Sequence, residues 1–498
     1  MIPMVDLFSG PGGLNEGFTR LGEDEGKPVF YPIASFEKEP HAVRTLRLRS
    51  VYRTLKRTEG VPEEYFAMCR GELTVEDFLD HHGFRSAAVA ARSEVHALEL
   101  GEATREESDA ILSRAFAKHS QHGNSPWVLI GGPPCQAYSL VGRSRRRGDE
   151  DFEQDGKHFL YREYLNIVRK FRPTIFVMEN VKGLLSSTNG GQPMFDRILS
   201  DLRHPGDNAT YEIRSLVIGG DSAVLRPVDY VIRSEDFGIP QRRHRVILLG
   251  VDTNYRDALK KWRPLVKSFP ISVGEAIGDL PRLRSQISPR RYDSPSSWNE
   301  IRAEALLGMQ SLDGAPYDLT PGGPFIRGSC RVGEDRFSAW IMADRLDGVI
   351  QHEARSHIPD DLRRYAYLAS VGETEMRSVS LSELPSHLTP NHRNAKGRMA
   401  PFQDRFRVQL GKQPSSTVVS HISKDGNYYI HPDPCQMRSL TVREAARLQT
   451  FPDDYLFLGP RTQQYVQVGN AVPPLLANQI AEVVAEMLGE YSAGASEV

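Results

Sequence analysis

The feature that most constrains the fold is a series of short apolar runs separated by helical segments. Four runs end in a turn with glycine or polar residues, and a fifth begins directly after Arg245. They are IPMVDLF, VFYPIASF, WVLI, TIFVM and VILLGV, with helical stretches such as HFLYREYLNIVRKF between them. Short, nearly continuous apolar strands that alternate with helices are typical of a buried parallel sheet in a doubly wound α/β fold. Ligands of such sheets bind beyond the carboxyl ends of the strands, where most of these polar residues lie.

Length and composition set only broad limits. A chain of 498 residues is too long for one small core, so we expect two domains or one large, elaborated domain. With 39% hydrophobic and 25% charged residues, the chain has the composition of a folded globular protein. The net charge of -2 excludes no class of partner, because a nucleic-acid binder can concentrate its basic residues on one face.

The cysteine spacing argues against a metal centre. The four cysteines are Cys69, Cys135, Cys330 and Cys435. They form no C-x-x-C pair, so neither a zinc cluster nor a disulfide framework is expected. His352 and His357 stand in no ligand cluster either, and we predict no metal. No apolar run approaches the ~20 residues of a membrane helix, and the first residues do not resemble a signal peptide. We therefore expect a cytoplasmic protein.

Changes in composition and in the pattern of apolar residues divide the chain into three parts. Residues 1–270 carry the alternating strands and helices and are expected to form the main domain. Residues 271–437 are basic and rich in turn residues, and we interpret them as a second, irregular domain. Regularity returns in residues 438–498, where Thr441 and Glu444 form a capping box at the start of a helix. We expect this last part to return to the main domain.

Residues 80–125 have the character of a helical insert in the main domain. RSAAVAARSEVHALEL is a charged, alanine-rich helix candidate. A second candidate begins at Thr104, with Glu107 completing a capping box. We interpret this pair of helices as surface elaboration; a contact with a partner or with DNA is the alternative.

The stretch DLFSGPGGLNEGF predicts a strand, a glycine turn and the start of a helix. Gly10, Gly12 and Gly13 allow a tight turn and a close approach to a ligand, but the Lys-Ser/Thr pair of a phosphate-binding loop is missing. Glu37 follows Gly13 by 24 positions, at the end of the next strand, where a carboxylate can accept hydrogen bonds from ribose hydroxyls. A nucleoside-containing cofactor is one interpretation, and plain loop geometry is the other.

Cys135 lies in the turn GGPPCQAYS, directly after a predicted strand. A thiolate is a strong nucleophile, and Pro133 and Pro134 would restrict the direction of its sulfur. Glu179, in ENV, ends another predicted strand and would place a carboxylate on the same rim. The alternatives are a structural cysteine and a simple end of a strand.

The stretch PQRRHRV places Arg243 and Arg245 immediately before a strand. Alternate residues of an extended segment point the same way, so both guanidinium groups can face one site. Arginine recognises phosphate or carbonyl groups through planar, bidentate hydrogen bonds. A solvated basic strand end is the alternative.

Taken together, these stretches resemble the cytosine-5 DNA methyltransferase family of the bacterial type. The glycine turn is similar to the family's cofactor turn, GGPPCQAYS to its nucleophile motif, ENV to its glutamate motif, and QRRHR to its Q-x-R-x-R pattern. RSLTVREAARLQTFPDDY and QVGNAVPPLLA resemble its last two motifs. Six matches in the expected order span both ends of the chain, which makes the resemblance specific. Tyr138, where Phe is common, is a mild departure.

The resemblance implies a Rossmann-like S-adenosylmethionine-dependent methyltransferase domain with a smaller, irregular target-recognition domain. The implied cofactor-binding residues are Phe8, Gly10, Gly12, Gly13, Glu37, Glu72, Pro134, Asn470 and Ala471. Phe8 would pack on the adenine, Glu37 would hold the ribose, and Asn470 with Ala471 would bind the carboxylate end. Glu72, in GELT, stands where the family has Asp near the adenine amino group, a departure of one methylene.

The resemblance also implies the reaction, which is methylation of carbon-5 of a cytosine rotated out of the double helix. The Cys135 thiolate would add to carbon-6 and make carbon-5 electron-rich. Glu179 would hydrogen-bond to ring nitrogen 3 and the exocyclic amine, and Arg245 would contact oxygen 2. Arg243 would contact a phosphate or a neighbouring carboxylate. The sequence does not identify the base that removes the carbon-5 proton.

Basic residues in two regions are implied to meet DNA. The loop after the nucleophile carries Arg143, Arg145, Arg146 and Arg147. We interpret it as a lid that closes on DNA, with a solvated loop as the alternative. The family's target-recognition region would lie between QRRHR and RSLTVRE, entered through ISVGEAIGDLP. Candidate contacts there are Arg290, Arg291, Arg327, Arg331, Arg393, Asn394, Lys396 and Arg398. Gln241 is also predicted to contact DNA.

Two other functions fit part of the pattern. An RNA methyltransferase can have the same fold, and a relative can keep the fold without catalysis. The large recognition region favours double-stranded DNA, and the intact Cys135, Glu179, Arg243 and Arg245 favour an enzyme. We expect a monomer that holds DNA between its two domains. We also expect it to mark host DNA beside a restriction enzyme or another anti-phage defence complex.

Overall fold

The computed structural model describes residues 1–119, 125–134, 160–189, 192–206, 209–220, 225–307, 318–328, 333, 335–391 and 405–490. The strands are β1 (Ile2–Leu7), β2 (Phe30–Glu37), β3 (Val95–Ala97), β4 (Val128–Gly131), β5 (Ile175–Val181), β6 (Thr188–Asn189), β7 (Gln192–Pro193), β8 (Tyr211–Arg214), β9 (Val231–Arg233), β10 (Gln241–Arg242), β11 (His244–Asp252), β12 (Gln286–Ile287), β13 (Gly322–Arg327), β14 (Gly348–Glu353), β15 (Ser356–His357) and β16 (Ser415–Ser416).

The helices of the described residues connect these strands, and short 3-10 turns lie between several of them. They are α1 (Gly13–Thr19), α2 (Pro40–Thr58), α3 (Glu63–Cys69), α4 (Val75–Asp80), α5 (Arg85–Glu94), α6 (Arg105–His119), α7 (Leu160–Phe171), α8 (Met194–Arg203), α9 (Arg256–Lys261), α10 (Val273–Ile277), α11 (Pro295–Ala305), α12 (Arg336–Ile341), α13 (Pro359–Glu375), α14 (Val442–Leu448), α15 (Arg461–Asn470) and α16 (Pro474–Leu488).

A mixed sheet of eight strands forms the centre of the protein, in the order β3-β2-β1-β4-β5-β11-β8, with β9 also paired to β11. Strands β1 to β5 are parallel, as the sequence predicts. Strand β11 is antiparallel to β5, β8 and β9, so the prediction of parallel pairing is wrong for VILLGV. A buried strand has the same apolar pattern in either direction, so periodicity could not reveal this.

The direction of β11 has one consequence for the site. The amino end of β11 lies at the edge of the sheet where β1, β2, β4 and β5 have their carboxyl ends. We call this edge the active edge. Arg245 therefore faces the same region as the polar turns that follow the parallel strands.

Each face of the sheet carries its own apolar layer. On one face, Met4 and Ile130 pack with α1 and with the C-terminal helix α16. On the other face, Val5 and Leu129 pack with α6, α7 and α8. The side chains of β1 alternate between the two layers, as the pleat of a strand covered on both faces requires.

Residues 80–125 are more than the surface elaboration that the sequence suggests. Helix α5 ends at Glu94, and the next three residues form β3, which pairs with β2 at one side of the sheet. Helix α6 then contributes Ile111 and Leu112 to the apolar layer. The expected capping box at Thr104 is replaced by a 3-10 turn over Glu102–Thr104. A strand of three residues is too short to show a period, so the sequence could not separate it from the helix before it.

Part of the predicted second domain packs against the main sheet. Phe337 and Trp340 of α12 belong to the same apolar layer as α1 and α16. The indole of Trp340 donates a hydrogen bond to the carbonyl oxygen of Thr450 at 2.8 Å. Residues farther from the sheet have small apolar cores of their own, one around Tyr365 and one around Trp298.

The C-terminal residues return to the glycine turn at the start of the chain. Helix α16 packs directly on α1, where Gly17 allows the two backbones to approach closely. A Cβ at residue 17 would lie 2.4 Å from the carbonyl oxygen of Pro474 and 2.4 Å from the Cβ of Ala477. No helix in the described ranges is long and apolar enough to span a membrane.

The Gly17→Ala variant should be less stable by about 1–3 kcal/mol, although alanine is intrinsically the better helix former by about 1 kcal/mol. The added methyl group forces α1 and α16 apart, which the urea midpoint of unfolding would measure. Gly101→Ala is the matched control, because a Cβ at residue 101 would meet no atom within 4 Å in the described part of the chain. Equal stability of the two variants would contradict the packing argument.

Candidate active site

Polar turns from four neighbouring strands meet at the active edge. They follow β1 at Ser9 and Gly10, β2 at Glu37, β4 at Gly132 and β5 at Glu179. The register places Leu7 beside both Phe36 and Gly131, and Gly131 beside Met178. Parallel strands end at one edge, so residues up to 170 positions apart in sequence become neighbours.

An ion pair between Glu179 and Arg245 lies at the centre of this edge. The Arg245 Nε atom is 2.7 Å from Glu179 Oε1, and each side chain is 14% exposed. In the antiparallel register, Arg245 pairs with Val181 and Ile247 pairs with Glu179, so the two charged residues lie diagonally across two strands. A largely buried carboxylate needs such a partner to offset its loss of hydration.

The turn before the predicted nucleophile packs directly on this carboxylate. A Cβ at Gly132 would lie 2.9 Å from Glu179 Oε2, so only glycine allows the observed approach. The side-chain amide of Asn180 reaches the carbonyl oxygen of Pro133 at 3.5 Å. The GGPP turn is thus held against the end of β5, and the described chain reaches the active edge at Pro134.

Cys135 itself lies outside the described residues, one position beyond Pro134. The other predicted residues outside them are Tyr138, Arg143, Arg145, Arg146, Arg147, Arg331, Arg393, Asn394, Lys396 and Arg398. The described cysteines are Cys69 and Cys435, and both are buried. Burial raises the pKa of Cys69 to about 12 and also raises the pKa of Cys435, so neither thiol is prepared for nucleophilic chemistry.

Glu37 is held firmly at the end of β2. Its Oε2 atom accepts a hydrogen bond from the Gly10 amide at 2.8 Å, and its Oε1 atom accepts hydrogen bonds from the amides of Lys38 and Glu39. Gly10 has a φ of 56°, and a Cβ there would meet no atom of the described residues within 4 Å. As far as those residues are concerned, the space beside Gly10 is open to a ligand.

Phe8 lies just before this turn and has a left-handed backbone. Its φ is 56°, which a non-glycine residue adopts only at a cost. Its half-buried ring packs at the border of the apolar layer formed with α6 to α8. Strained residues of this kind concentrate at ligand sites, and the predicted contact of Phe8 with the adenine stays a prediction.

Gly12 and Gly13 serve the packing of the protein more than the approach of a ligand. Added Cβ atoms would lie 2.6 Å from Leu46 Cδ1 at Gly12 and 2.2 Å from the carbonyl oxygen of Val472 at Gly13. The C-terminal residues thus cover the helix side of the turn. Asn470 is exposed and Ala471 is buried, immediately before the point of contact.

Tyr455 also holds the glycine turn from its helix side. Its hydroxyl group donates a hydrogen bond to the carbonyl oxygen of Pro11, between Gly10 and Gly12. The ring is fully buried. Sequence reasoning did not single out Tyr455, because a contact across 444 positions leaves no local signal.

Glu72 does not follow a strand of the central sheet as Glu37 does, and its predicted contact with the cofactor stays a prediction. It occupies the turn between α3 and α4, where Arg70 pairs with it at 2.9 Å. The carboxylate that follows β3 belongs to Glu99, which pairs with Lys38, the neighbour of Glu37, at 2.6 Å. The sequence missed Glu99 because β3 was interpreted as part of a helix.

Gln241 and Arg243 are buried in the interior, which contradicts the predicted DNA contact of Gln241. Its side chain donates to the carbonyl oxygen of Leu448 at 2.9 Å and accepts from the amide of Val418 at 3.1 Å. Arg243, 2% exposed, donates to the carbonyl oxygens of Val418 at 2.8 Å and Gly469 at 3.2 Å. It does not share the site of Arg245, because residue 243 interrupts the strand and breaks the expected alternation.

Arg290, Arg291 and Arg327 are exposed in the described part of the second region. Arg291 stacks over the ring of Tyr292, with 4.8 Å from its guanidinium carbon to the ring centre. Arg327 ends β13, which extends along the helices α3 to α5. Exposure leaves these residues able to contact DNA, and their roles stay predictions.

A buried carboxyl group lies below the glycine turn. Asp6 is completely buried near the end of β1, and neither carboxylate oxygen accepts a hydrogen bond from the described residues. Burial, with the charge of Glu37 adding to it, raises the pKa of Asp6 to about 7. The carboxyl group therefore holds its proton in mildly acidic solution.

The fold and the edge together define a Rossmann-like methyltransferase. The family model described as C-5 cytosine-specific DNA methylase matches residues 115–486, and the chain belongs to this family. It is 35% identical over 500 residues to the type II methyltransferase M.Bpa9945I of Bacillus paralicheniformis, covering 98% of this chain and 99% of the relative. It is 26% identical over 413 residues to the DNA (cytosine-5-)-methyltransferase M.ApeKI of Aeropyrum pernix, covering 72% and 81%.

A solved structure supports the fold. It is a DNA modification methyltransferase encoded within a prophage (E. coli), with a TM-score of 0.55 and 19% sequence identity over 98% of this chain and 100% of that chain. The chain is thus a DNA (cytosine-5-)-methyltransferase that acts on double-stranded DNA. Its methyl donor is S-adenosylmethionine, and the open space at Gly10 beside the fixed Glu37 carboxylate fits the nucleoside of that donor.

Tyr455→Phe should weaken the binding of S-adenosylmethionine by up to about tenfold, because the Pro11 carbonyl loses its buried hydrogen bond. Isothermal titration calorimetry would measure the affinity without turnover. Tyr465→Phe is the matched control, since its equally buried hydroxyl donates to the carbonyl oxygen of Leu440 at 2.7 Å, away from the turn. Equal losses in the two variants would mean that only general stability had changed.

Asp6→Asn should change how stability depends on pH. A folded-state pKa of about 7, above the usual 3.8, means that the wild type loses stability as the pH rises from about 4 to about 7. Asparagine does not ionise, so the variant should gain a few kcal/mol relative to the wild type between about pH 5 and pH 8. Urea unfolding at both pH values measures this gain.

Asp257→Asn is the control for the pH effect. Its carboxylate lies beside Lys260, which holds its pKa below the usual value, so it is ionised in both states throughout this range. If the stability of the wild type and that of Asp6→Asn changed with pH in the same way, Asp6 would be ionised in the folded protein, and the prediction would be wrong.

Proposed function

We propose that the protein transfers a methyl group to carbon-5 of a flipped-out cytosine within a specific sequence of double-stranded DNA, through a covalent adduct with Cys135. One observation carries this proposal. The buried Glu179–Arg245 pair lies against the turn that leads to Cys135, at the edge where Glu37 and Gly10 form the cofactor end. A base at this edge could reach the thiol and the carboxylate together.

Cys135 acts as the nucleophile. Its thiolate forms a bond with carbon-6, and the electrons of the carbon-5 to carbon-6 double bond become available at carbon-5. When bound, S-adenosylmethionine would supply an electrophilic methyl group to that carbon and would depart as S-adenosylhomocysteine. Loss of the carbon-5 proton to a base or to water restores the double bond and expels the thiolate. The turn residues Gly132, Pro133 and Pro134 hold the start of the nucleophile loop.

Glu179 holds the base and stabilises the charge that develops on it. Arg245 pairs with its Oε1 atom, while its Oε2 atom lies against the Gly132 backbone, where the absence of a side chain permits this close approach. That oxygen can accept a hydrogen bond from the ring once nitrogen 3 is protonated. Arg245, fixed by the same ion pair, is placed to contact oxygen 2. Preorganised groups of this kind need little rearrangement during the reaction.

Arg243 and Gln241 do not face the site, but their buried hydrogen bonds position the segments that form it. Arg243 joins the carbonyl oxygens of Val418 and Gly469, and Gly469 immediately precedes Asn470. Gln241 joins the segment at Val418 to the end of α14. These hydrogen bonds connect three parts of the protein. They are the segment before Asn470, the residues that lead into β11, and the second region at Val418.

The biological role that we propose is protection of host DNA in a restriction-modification or other anti-phage defence system. The relatives named type II methyltransferases support this role. A monomer suffices for methylation, since one chain carries the motifs for the nucleophile, the cofactor and DNA recognition.

Cys135→Ala should abolish methylation. Conversion sequencing of DNA and RNA from cells that express each form would map 5-methylcytosine, and Cys435→Ala is the control. We expect a mark at one short DNA sequence with the wild type and with Cys435→Ala, and none with Cys135→Ala. A mark in RNA alone would replace DNA as the substrate, and a mark that persists in Cys135→Ala would exclude this nucleophile.

The covalent step has its own readout. A duplex with 5-fluorocytosine at the mapped position has no carbon-5 proton to lose, so elimination cannot release the thiolate. The wild type should remain attached to this duplex under denaturing conditions, and Cys135→Ala should not. Methylation by the wild type without a trapped adduct would argue against covalent catalysis.

A further inference from the structure

A basic cavity lies among the helices that cover one face of the central sheet, outside the catalytic site. It has a volume of about 360 Å³ and lies between α7 and α8, with the start of α6 beside it. We call it the arginine groove. Its charged lining residues are Arg105, Arg162, Arg169, Arg197, Asp201 and His204.

The groove carries an excess of positive charge that the whole chain does not have. Four arginines lie there with two carboxylates, while the chain has a net charge of -2. Asp201 accepts a hydrogen bond from Tyr161 at 3.3 Å, and Glu163 pairs with Arg105 at 2.6 Å. Arg162, Arg169 and Arg197 are exposed. A local excess of this kind attracts polyanions.

The groove begins on the side of the active edge. Helices α6, α7 and α8 follow the carboxyl ends of β3, β4 and β5, so each helix starts toward that edge and runs away from it. Arg105 and Arg162 lie in the first turns of α6 and α7, and Arg197 lies in the first turn of α8. Arg169 and His204 lie at the far end. A duplex bound at the active edge can therefore continue toward the groove.

The dimensions of the groove fit a stretch of DNA backbone. The lining residues on α7 extend from Tyr161 to Arg169, a rise of about 12 Å along the helix. DNA rises about 3.4 Å per base pair, so this length matches about three to four base pairs. Arg162 and Arg169 are two helical turns apart on α7, and Arg197 faces them from α8, so positive charge is spread along the groove.

We propose that the arginine groove binds the phosphodiester backbone of duplex DNA that flanks the target sequence. The planar guanidinium group suits phosphate oxygens, and contacts to phosphates do not depend on base sequence. The substrate of the enzyme is itself the polyanion that the groove fits. The groove thus extends the DNA contact beyond the catalytic cleft and increases the affinity for long DNA.

The test compares Arg162→Ala/Arg197→Ala with the wild type on random-sequence duplexes of about 14 and about 40 base pairs, over a range of salt concentrations. On the long duplex, the slope of log affinity against log salt should fall by about 2, and affinity at low salt should fall about tenfold. Binding to the short duplex should not change. Methylation of a short duplex should also keep its kcat, which separates this proposal from the proposed catalytic function.

Two further variants make the test specific. Arg85→Ala/Arg92→Ala removes two exposed arginines from α5, which does not line the groove, and should behave as the wild type. Arg162→Lys/Arg197→Lys keeps the charge and should restore most of the salt dependence. An unchanged slope in Arg162→Ala/Arg197→Ala, or an equal loss in the α5 variant, would overturn the proposal. A loss of affinity for the short duplex as well would place these arginines in the catalytic cleft.

Discussion

The ion pair between Glu179 and Arg245 depends on the direction of a single strand. If β11 were parallel to β5, its amino end would lie at the opposite edge of the sheet, about 23 Å away along the seven residues of β5. The arginine motif and the glutamate motif could then not share a site. The antiparallel pairing instead puts a fixed positive charge beside a carboxylate that is 14% exposed, and the turn before Cys135 packs on that carboxylate.

The second constraint is the return of the C-terminal residues to the glycine turn. Val472 contacts Gly13, Tyr455 holds Pro11, and α16 packs on α1. A buried network strengthens this contact, because Arg49 pairs with Glu16 of α1 at 2.6 Å and with Asp454 at 3.1 Å. The turn therefore has two surfaces. One is closed by the end of the chain, and the other is open to the cofactor at Gly10.

The contrast between Gly10 and its neighbours shows what a sequence motif cannot predict, which is the surroundings of each of its residues. All three glycines of the turn have the same motif context, but of these three only Gly10 leaves a Cβ position clear of the described residues. Gln241 and Arg243 give a similar contrast with Arg245, since two of the three side chains are buried in hydrogen bonds to residues about 175 to 226 positions away. Glu99 follows a three-residue strand that the sequence pattern does not separate from the helix before it, so no local signal marks its position at the end of a strand.

The sequence by itself determined the α/β class, the glycine turn with Glu37, the six ordered motifs and hence the family. These features rest on local patterns, such as runs of apolar residues and short spacings between polar ones. Only the tertiary structure decided the direction of β11, the partners of Gln241 and Arg243, and which face of the glycine turn is open. Each of these depends on contacts between residues far apart in the chain, and the pattern around either residue is the same whether or not its partner is there.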